Sequence, residues 1–257
     1  MQTNSEIYQV EGVEYRITDP TNKWVEVVGV VDDSCVNDVI IPSPITNGGE
    51  EYEVTSIGEE AFVDCKSLTS ITIPSSVTSI GMDAFRGCDN LTSITLPSSV
   101  TSIGRKAFSN CDSLRSITIP CSVTSIGERA FWECDNLTSI TIPSSVTSIG
   151  DKAFYDCDSL TSITIPSSVI SIGDRVFWGC NRLTSITIPS SVTSIGREAF
   201  SGCKSLTSIN IPSSVKSIGD AAFSYCYSLT SITIPTHITN IDKLGIPEGT
   251  RIIRENV

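Results

Sequence analysis

The stretch Gly150-Asp-Lys-Ala-Phe-Tyr-Asp-Cys-Asp-Ser-Leu-Thr-Ser-Ile-Thr-Ile-Pro-Ser-Ser-Val-Ile-Ser-Ile172 is one of eight closely similar segments in a 257-residue chain. Each segment begins with a glycine 23 residues after the previous one: Gly58, Gly81, Gly104, Gly127, Gly150, Gly173, Gly196 and Gly219. A constant period of this length indicates a solenoid, in which each repeat packs only against its neighbours. Each 23-residue repeat is called a coil here, and coils 1 to 8 are numbered from Gly58.

The apolar spacing within one coil predicts a short strand. Leu160, Ile163 and Ile165 lie at positions i, i+3 and i+5, which is the spacing of the strand in a leucine-rich repeat. Pro166 has no N–H group to give to a sheet, so the strand is expected to end there.

The remainder of the coil is predicted to turn back towards its start. Val169 and Ile172 form a second inward pair, and Gly173 follows at a sharp bend that favours a positive φ. Residues 151–156 include neither proline nor a β-branched residue. This composition predicts a single helical or 3-10 turn on the convex side.

Two columns of identical side chains run through all eight coils. One contains every phenylalanine of the chain and predicts a buried spine: Phe62, Phe85, Phe108, Phe131, Phe154, Phe177, Phe200 and Phe223. The other is the cysteine column: Cys65, Cys88, Cys111, Cys134, Cys157, Cys180, Cys203 and Cys226. Cys35 and Cys121 lie outside it.

The cysteine column is predicted to consist of buried free thiols that act as small apolar spacers. No Cys-x-x-Cys pair and no neighbouring histidine accompanies the column, so we expect no bound metal. In-register parallel side chains hold the Cβ atoms slightly too far apart for disulfide bonds between adjacent coils.

Both ends depart from the repeat and are predicted to cap the stack. Residues 1–57 are interpreted as an N-terminal β-hairpin cap, with strands over 8–17 and 23–31, followed by a degenerate first coil. Residues 58–241 form the eight coils, and 242–257 form a C-terminal cap with a short last strand. The cap 1–57 carries eleven acidic and two basic residues, so most of the net charge of −12 lies there.

Function is expected in the columns that vary between coils. Directly after the phenylalanine, three consecutive coils carry a large aromatic residue, and a neighbouring column is basic in four consecutive coils. Because the phenylalanine points inward, the aromatic row is expected to be exposed. The candidate patch consists of Trp132, Tyr155, Trp178, Lys106, Arg129, Lys152 and Arg175. It suggests a ligand-binding surface.

The alternative for the candidate patch is purely structural. The rings would lie flat over neighbouring coils, and the basic side chains would pair with Glu128, Asp151 and Asp174.

Two further columns have structural explanations. Four successive coils place an aspartate after the cysteine: Asp89, Asp112, Asp135 and Asp158. One carboxylate per coil supplies too few oxygens for calcium, so these residues are expected to accept turn N–H groups.

The outward strand position is threonine in seven coils: Thr72, Thr95, Thr118, Thr141, Thr164, Thr187 and Thr233. Threonine suits an exposed strand; recognition of a repetitive ligand such as ice, or glycosylation, is the alternative.

The composition limits the chemistry available. The chain is 39% hydrophobic, too apolar for disorder, and no eighteen apolar residues follow one another, so no membrane span is predicted. His237 is the single histidine, and no nucleophile, phosphate-loop or zinc pattern is present. We therefore predict no catalytic residue and no cofactor. The acidic balance also disfavours nucleic acid as a partner.

The unit Cys-x-x-Leu-x-x-Ile-x-Ile-Pro-x-x-Val-x-x-Ile-Gly-x-x-Ala-Phe resembles the 23-residue leucine-rich repeat of the BspA-like, Treponema-type family over residues 58–241. The resemblance implies a mostly β, α/β-type solenoid that is curved and right-handed, with eight coils, short parallel strands and helical or 3-10 turns on the convex side. It also implies a protein without catalytic activity, at the cell surface or secreted. Such proteins bind host proteins such as fibronectin and fibrinogen, or mediate adhesion.

The leading functional hypothesis is therefore a protein-binding or adhesion module, with a host extracellular matrix protein as one partner. The alternative is a structural or self-associating spacer without a specific ligand, either monomeric or weakly associated. The N-terminus, Met1 to Glu6, shows no signal peptide, so a cytoplasmic location stays open beside the surface location.

Overall fold

The computed structural model describes residues 7–31 and 37–255, which form a β-solenoid with almost no helix. The N-terminal strands are β1 (Ile7–Val10), β2 (Val13–Asp19), β3 (Trp24–Val30), β4 (Asp38–Ile40), β5 (Ile45–Asn47) and β6 (Glu50–Ile57). The first strands of coils 1 to 8 are β7 (Ser70–Thr72), β9 (Ser93–Thr95), β11 (Ser116–Thr118), β13 (Ser139–Thr141), β15 (Ser162–Thr164), β17 (Ser185–Thr187), β19 (Ser208–Asn210) and β21 (Ser231–Pro235). The second strands of coils 1 to 7 are β8 (Ser79–Ile80), β10 (Ser102–Ile103), β12 (Ser125–Ile126), β14 (Ser148–Ile149), β16 (Ser171–Ile172), β18 (Ser194–Ile195) and β20 (Ser217–Ile218). A 3-10 turn, η1 (Asp242–Leu244), and a last strand, β22 (Arg251–Glu255), follow coil 8.

Equivalent strands of most successive coils pair in parallel and in register, with breaks in pairing between β7 and β9, between β14 and β16, and between β17 and β19. Between β13 and β15, for example, Ile140 lies opposite Ile163 and Thr141 lies opposite Thr164. The central isoleucine of each first strand is buried between an outward serine and an outward threonine or asparagine. The predicted solenoid with its 23-residue period is therefore confirmed.

The N-terminal region extends the sheet of second strands. β1, β2 and β3 pair antiparallel, and β3 pairs in parallel with β6, which pairs with β8. The predicted single strand over 8–17 is wrong, because Glu11 (φ 50°) and Gly12 (φ 80°) form a turn that divides it into β1 and β2. β4 pairs in parallel with β7, which places Val39 opposite Ile71 as in a first coil.

The turn segments are neither helical nor 3-10, contrary to the expectation from composition. In coil 5, Lys152 (φ 58°) and Asp156 (φ 52°) adopt the left-handed conformation. In this segment every second N–H group points towards the next coil. A helix would instead keep its backbone hydrogen bonds within its own segment. The N–H groups of Lys152, Phe154 and Asp156 donate to the carbonyl oxygens of Asp174, Val176 and Trp178, at 2.9, 3.0 and 2.7 Å.

Seven of the eight repeat glycines, all except Gly173, are required by close approach to a neighbouring backbone rather than by their own backbone conformation. Gly173 does not have the positive φ that the sequence suggested. A Cβ atom on Gly150 would lie 2.5 Å from the backbone N and 2.7 Å from the Cα of Glu128. Only a hydrogen atom fits where one coil passes over the backbone of the preceding coil.

The eight phenylalanine rings form one continuous stack through the core. Neighbouring rings lie nearly parallel, with centroids 5.2 to 5.8 Å apart. Each ring is fully buried, and burying a phenylalanine contributes roughly 1.5 to 3 kcal/mol by apolar area. The stack is therefore a major source of cohesion between coils.

Seven members of the cysteine column are free and buried, as the sequence predicts: Cys88, Cys111, Cys134, Cys157, Cys180, Cys203 and Cys226. Each Sγ–H donates to the carbonyl oxygen of the phenylalanine in the preceding coil, at 3.0 to 3.2 Å. Cys65 is disulfide-bonded, so the free-thiol prediction is wrong for coil 1. The series of thiol–carbonyl bonds therefore begins in coil 2, with Cys88. Cys35 lies outside the described residues.

Serine hydroxyl groups form a second series of bonds that reach back by one coil. Ser99 Oγ, for example, donates to the carbonyl oxygen of Val77. The same bond recurs in every later coil up to Ser214, which donates to Val192 at 2.7 Å. At the last position His237 replaces the serine, and its Nε2 donates to the Val215 carbonyl oxygen at 2.7 Å. The single histidine therefore completes a structural series.

Thiol labelling is expected to separate the exposed from the buried cysteines. Burial raises the pKa of Cys88 and Cys226 to about 12 and that of the thiols between them well above the usual value. Because the thiolate is the reactive form, the native protein should label rapidly at exposed Cys121 alone among these free cysteines. Denaturation should release the seven column thiols, and their fast labelling in the native protein would contradict the buried column.

Candidate functional site

The three aromatic residues of the candidate patch contact one another across coils 4 to 6. The Tyr155 ring stacks on the Trp178 ring with centroids 4.5 Å apart and an interplanar angle of 7°. The Trp132 ring meets Tyr155 edge-on, at 5.7 Å and 82°. All three side chains are half-buried rather than fully exposed, because each ring covers part of its neighbour. The result is one continuous aromatic surface, partly open to solvent.

The four basic residues differ in how far they are neutralised. The Arg129 guanidinium lies 5.1 Å from the Trp132 ring centroid and pairs with Glu128 at 2.9 Å. Arg175 pairs with Glu198 at 2.8 Å, and this bond raises the pKa of Arg175 and lowers that of Glu198. Among the described residues, Lys106 and Lys152 form no ion pair. Lys106 in coil 3 and Lys152 in coil 5 therefore have no carboxylate partner within the described part of the chain.

The carboxylates expected to neutralise this column have other roles. Asp151 Oδ1 accepts the backbone N–H of Asp174 at 2.9 Å, and Asp174 Oδ1 accepts that of Arg197 at 2.7 Å. Of the three acids named from the sequence, Glu128 alone forms an ion pair with a patch residue in the part of the chain that the structure describes.

A row of acidic side chains lies beside the aromatic surface, and the sequence indicates three of its five members. The acidic row lines a groove of about 400 Å³ and consists of Asp112, Glu133, Asp135, Asp156 and Asp158. Asn110 and Asn181 complete the lining of the groove. The aspartate column after the cysteines was visible in the sequence. The second column, immediately before the cysteine, varies too much in residue type to be recognised by repetition alone.

The acidic row consists of carboxylates that oppose one another's ionisation. Burial, followed by repulsion from Asp158, Glu133 and Asp135, raises the pKa of Asp156 to about 6. The same two causes raise the pKa of Asp112 and Asp135.

The expected turn-capping role of the aspartate column is wrong. Within residues 37–255, the side chains of Asp89, Asp112, Asp135 and Asp158 accept no backbone N–H group. Asp158 instead accepts from Asn181 Nδ2 at 2.5 Å, and Asp89 lies 3.5 Å from the Lys66 ammonium. The left-handed residue before each cysteine directs its own N–H to the next coil, so the turn needs no side-chain acceptor.

Replacing Asp156 with asparagine is expected to stabilise the protein at neutral pH but not in acid. The raised pKa means that the folded state binds more protons than the unfolded state between about pH 4 and pH 6, so wild-type stability falls as the pH rises through this window. After a discount for solvent screening, we expect a gain of about 1 kcal/mol at pH 7. Thermal melting of Asp156→Asn at pH 7 and pH 4 measures the effect.

Asp220→Asn serves as the matched control, because Asp220 is exposed and lies outside the acidic row. An equal gain for both variants, or a gain for Asp156→Asn that persists at pH 4, would contradict repulsion within the row.

The most exposed aromatic side chains of the described residues lie in coil 8, outside the candidate patch. Tyr225 and Tyr227 are 60% and 69% exposed, and their rings meet edge-on at 6.1 Å. They are separated from Trp178 by coil 7, whose equivalent positions are Gly202 and Lys204. Tyr225 lies in the column before the cysteine and Tyr227 in the column after it. Neither column repeats an aromatic residue, so the repeat pattern does not indicate this pair.

Residues 7–31 and 37–255 contain neither a cluster of metal ligands nor a membrane-spanning helix. No three histidine, cysteine, aspartate or glutamate side chains there are arranged to hold a metal ion. Within the same residues, no helix has the length and apolar character needed to cross a bilayer.

Comparison with known proteins adds the family context. The sequence model described as "BspA type Leucine rich repeat region" matches residues 55–183 and 147–244, in six copies. A leucine-rich repeat protein from Bacteroides ovatus is 34% identical, with a TM-score of 0.73 over 96% of this chain and 67% of that chain. The T. pallidum leucine-rich repeat protein TpLRR is 30% identical, with a TM-score of 0.67 over 87% of this chain and 91% of that chain. No curated protein matches the chain.

Proposed function

Because the chain belongs to the BspA-type leucine-rich repeat family, we propose that it is a non-enzymatic protein-binding module of the adhesion type. The candidate patch is its contact surface. The proposed partner is an extracellular protein such as a host matrix protein, which places the module at the cell surface or outside the cell. The fold alone does not supply this conclusion, since one fold carries many functions.

The observation that carries the proposal is the continuous aromatic surface of Trp132, Tyr155 and Trp178. Positions equivalent to these residues hold small or polar side chains in most other coils, so the stack does not need aromatic rings there. Half-exposed tryptophan and tyrosine are the residue types that most often dominate protein interfaces. Lys106 in coil 3 and Lys152 in coil 5, which form no ion pair within the described residues, add positive charge to the candidate patch and favour an acidic partner segment.

The test is binding to immobilised fibronectin and fibrinogen. The double variant Trp132→Ser/Trp178→Ser is expected to bind at least about 30-fold more weakly, because losing hot-spot aromatic residues costs about 2 kcal/mol or more. The variant Tyr225→Ser/Tyr227→Ser removes two aromatic rings outside the candidate patch and should bind like the wild-type protein. Thermal melting of both variants checks that they remain folded.

Equal binding by the patch variant and the wild-type protein would contradict the proposed surface. Absence of wild-type binding to both matrix proteins would contradict the proposed partner class.

A further inference from the structure

The last strand, β22, presents an open sheet edge. β22 pairs in parallel with β21 along one side, and no strand of the described residues pairs with its other side. All five of its residues are exposed, including Ile252 at 38% and Ile253 at 36%. An unpaired edge of this kind is a template for another strand.

The pairing with β21 determines which backbone groups of β22 are free. The Arg251 N–H donates to the Thr230 carbonyl oxygen at 2.9 Å, and the Glu255 carbonyl oxygen accepts the Thr236 N–H at 3.0 Å. Alternate residues of a strand face opposite neighbours, so residues 251, 253 and 255 direct their N–H and C=O groups to β21. Those of Ile252 and Arg254 therefore point to the open side.

The side chains of β22 also depart from the pattern of the coils. Ile253 lies in register with Thr233, in the outward column that holds threonine or asparagine in every coil. Arg251 lies in register with Ser231, in a column that is serine in all eight coils. The stacking of coils explains a threonine at this outward position. It gives no reason for an exposed isoleucine that lies, on the outward face of β22, between Arg251 and Glu255.

We propose that β22 pairs antiparallel with β22 of a second copy of this chain, about a two-fold axis through Ile253. In this register Ile252 lies opposite Arg254 of the second copy, so their free N–H and C=O groups form four hydrogen bonds across the dimer. Ile253 lies opposite its own equivalent, and Arg251 lies opposite Glu255. A symmetric two-fold contact also closes, whereas a head-to-tail contact would continue into a filament.

Charge and geometry both select this register. Ile253 and the Arg251–Glu255 pairs occupy non-hydrogen-bonded positions, where opposite Cα atoms lie only about 4.5 Å apart and side chains interact most strongly. Two symmetric arginine–glutamate pairs flank the central isoleucines. Arg254 Nη2 donates to the carbonyl oxygens of Thr236 and Ile238, at 3.0 and 2.7 Å, so its charge is held on its own chain rather than against the second copy.

The contact is small, so the dimer is expected to be weak and concentration-dependent. Sedimentation velocity of the 257-residue chain over a concentration series should show a monomer that converts to a dimer. Ile253→Lys brings two like charges together at the axis and should remove the dimer. Ile170→Lys is the matched control, because Ile170 is also exposed but lies in coil 5, far from β22; it should leave the dimer unchanged.

A charge exchange tests the register itself. Arg251→Glu places two acidic side chains opposite each other on both sides of the axis and should weaken the dimer. The double variant Arg251→Glu/Glu255→Arg restores opposite charges and should restore it. A wild-type chain that stays monomeric throughout the series, or a dimer that survives Ile253→Lys, would overturn the proposal.

Disulfide trapping provides a second, geometric test. In a Cys121→Ser background, Ile253→Cys puts two thiols at a Cα separation suitable for a disulfide bond. A mild oxidant should therefore produce a covalent dimer quickly. Arg251→Cys, whose symmetry equivalent is not opposite it, should cross-link much more slowly. Equal rates for the two variants would exclude the register centred on Ile253.

Discussion

Gly150→Ala is expected to destabilise the solenoid by about 3 kcal/mol, at the upper end for overpacking a well-filled interior. The new methyl group would meet the backbone N and Cα of Glu128 at 2.5 and 2.7 Å. Neither atom can move without displacing the backbone of coil 4, which is bonded on both sides. Thermal and guanidinium unfolding measure the loss, and the melting temperature should fall on the order of 10 °C.

Gly173→Ala is the matched control at the equivalent position of the next coil. Its added methyl group would meet first the Oδ1 atom of Asp151, whose Cα is 3.6 Å away. That side chain can rotate aside at the cost of its bond to the Asp174 N–H, about 1 kcal/mol. The reduced entropy of the unfolded chain offsets part of this cost, so we expect a change within about 1 kcal/mol. Equal destabilisation by the two variants would contradict the close-approach explanation.

Phe154→Ala is expected to cost about 4 kcal/mol, within the range for removing a buried phenylalanine. The Phe154 ring is fully buried between Phe131 and Phe177, at centroid distances of 5.5 and 5.7 Å. Because each coil contacts only its neighbours, a cavity at coil 5 weakens the coupling between the two halves of the stack. Denaturant unfolding should therefore show a lower midpoint and a broader transition or two transitions.

Two further variants make the phenylalanine result specific. Phe154→Leu retains most of the apolar volume and should lose clearly less stability than Phe154→Ala. Thr164→Ala changes an exposed side chain of the same coil and should stay within about 0.5 kcal/mol of the wild-type protein. A loss for Phe154→Ala no greater than that for Thr164→Ala would contradict the role of the stack.

The sequence predicts the parts of the fold that repetition makes visible. The apolar spacing of Leu160, Ile163 and Ile165 indicates the strand, and the period alone indicates the solenoid. The predicted helical or 3-10 turn is wrong, because composition does not reveal that Lys152 and Asp156 adopt a left-handed conformation. Non-glycine residues rarely do so, and here the bonds to the next coil impose it.

The candidate site shows a different limit of sequence reasoning. Columns indicate which side chains are neighbours along the stack, and the contacts among Trp132, Tyr155 and Trp178 follow that order. The columns do not show that side chains from the two columns on either side of the cysteine lie close together in space. Asp156 is brought near Glu133 and Asp158 by the left-handed turn, so the acidic row became visible only in three dimensions.

The backward direction of the side-chain bonds has a consequence for how the protein is made. In coils 4 and 5, Ser145, Thr147 and Cys157 all donate to carbonyl oxygens of the coil before their own. Translation delivers the N-terminal end first, so each newly synthesised coil meets acceptors that are already in place. We therefore expect that the solenoid can grow from its N-terminal strands, β1 to β6, one coil at a time while the chain is being synthesised.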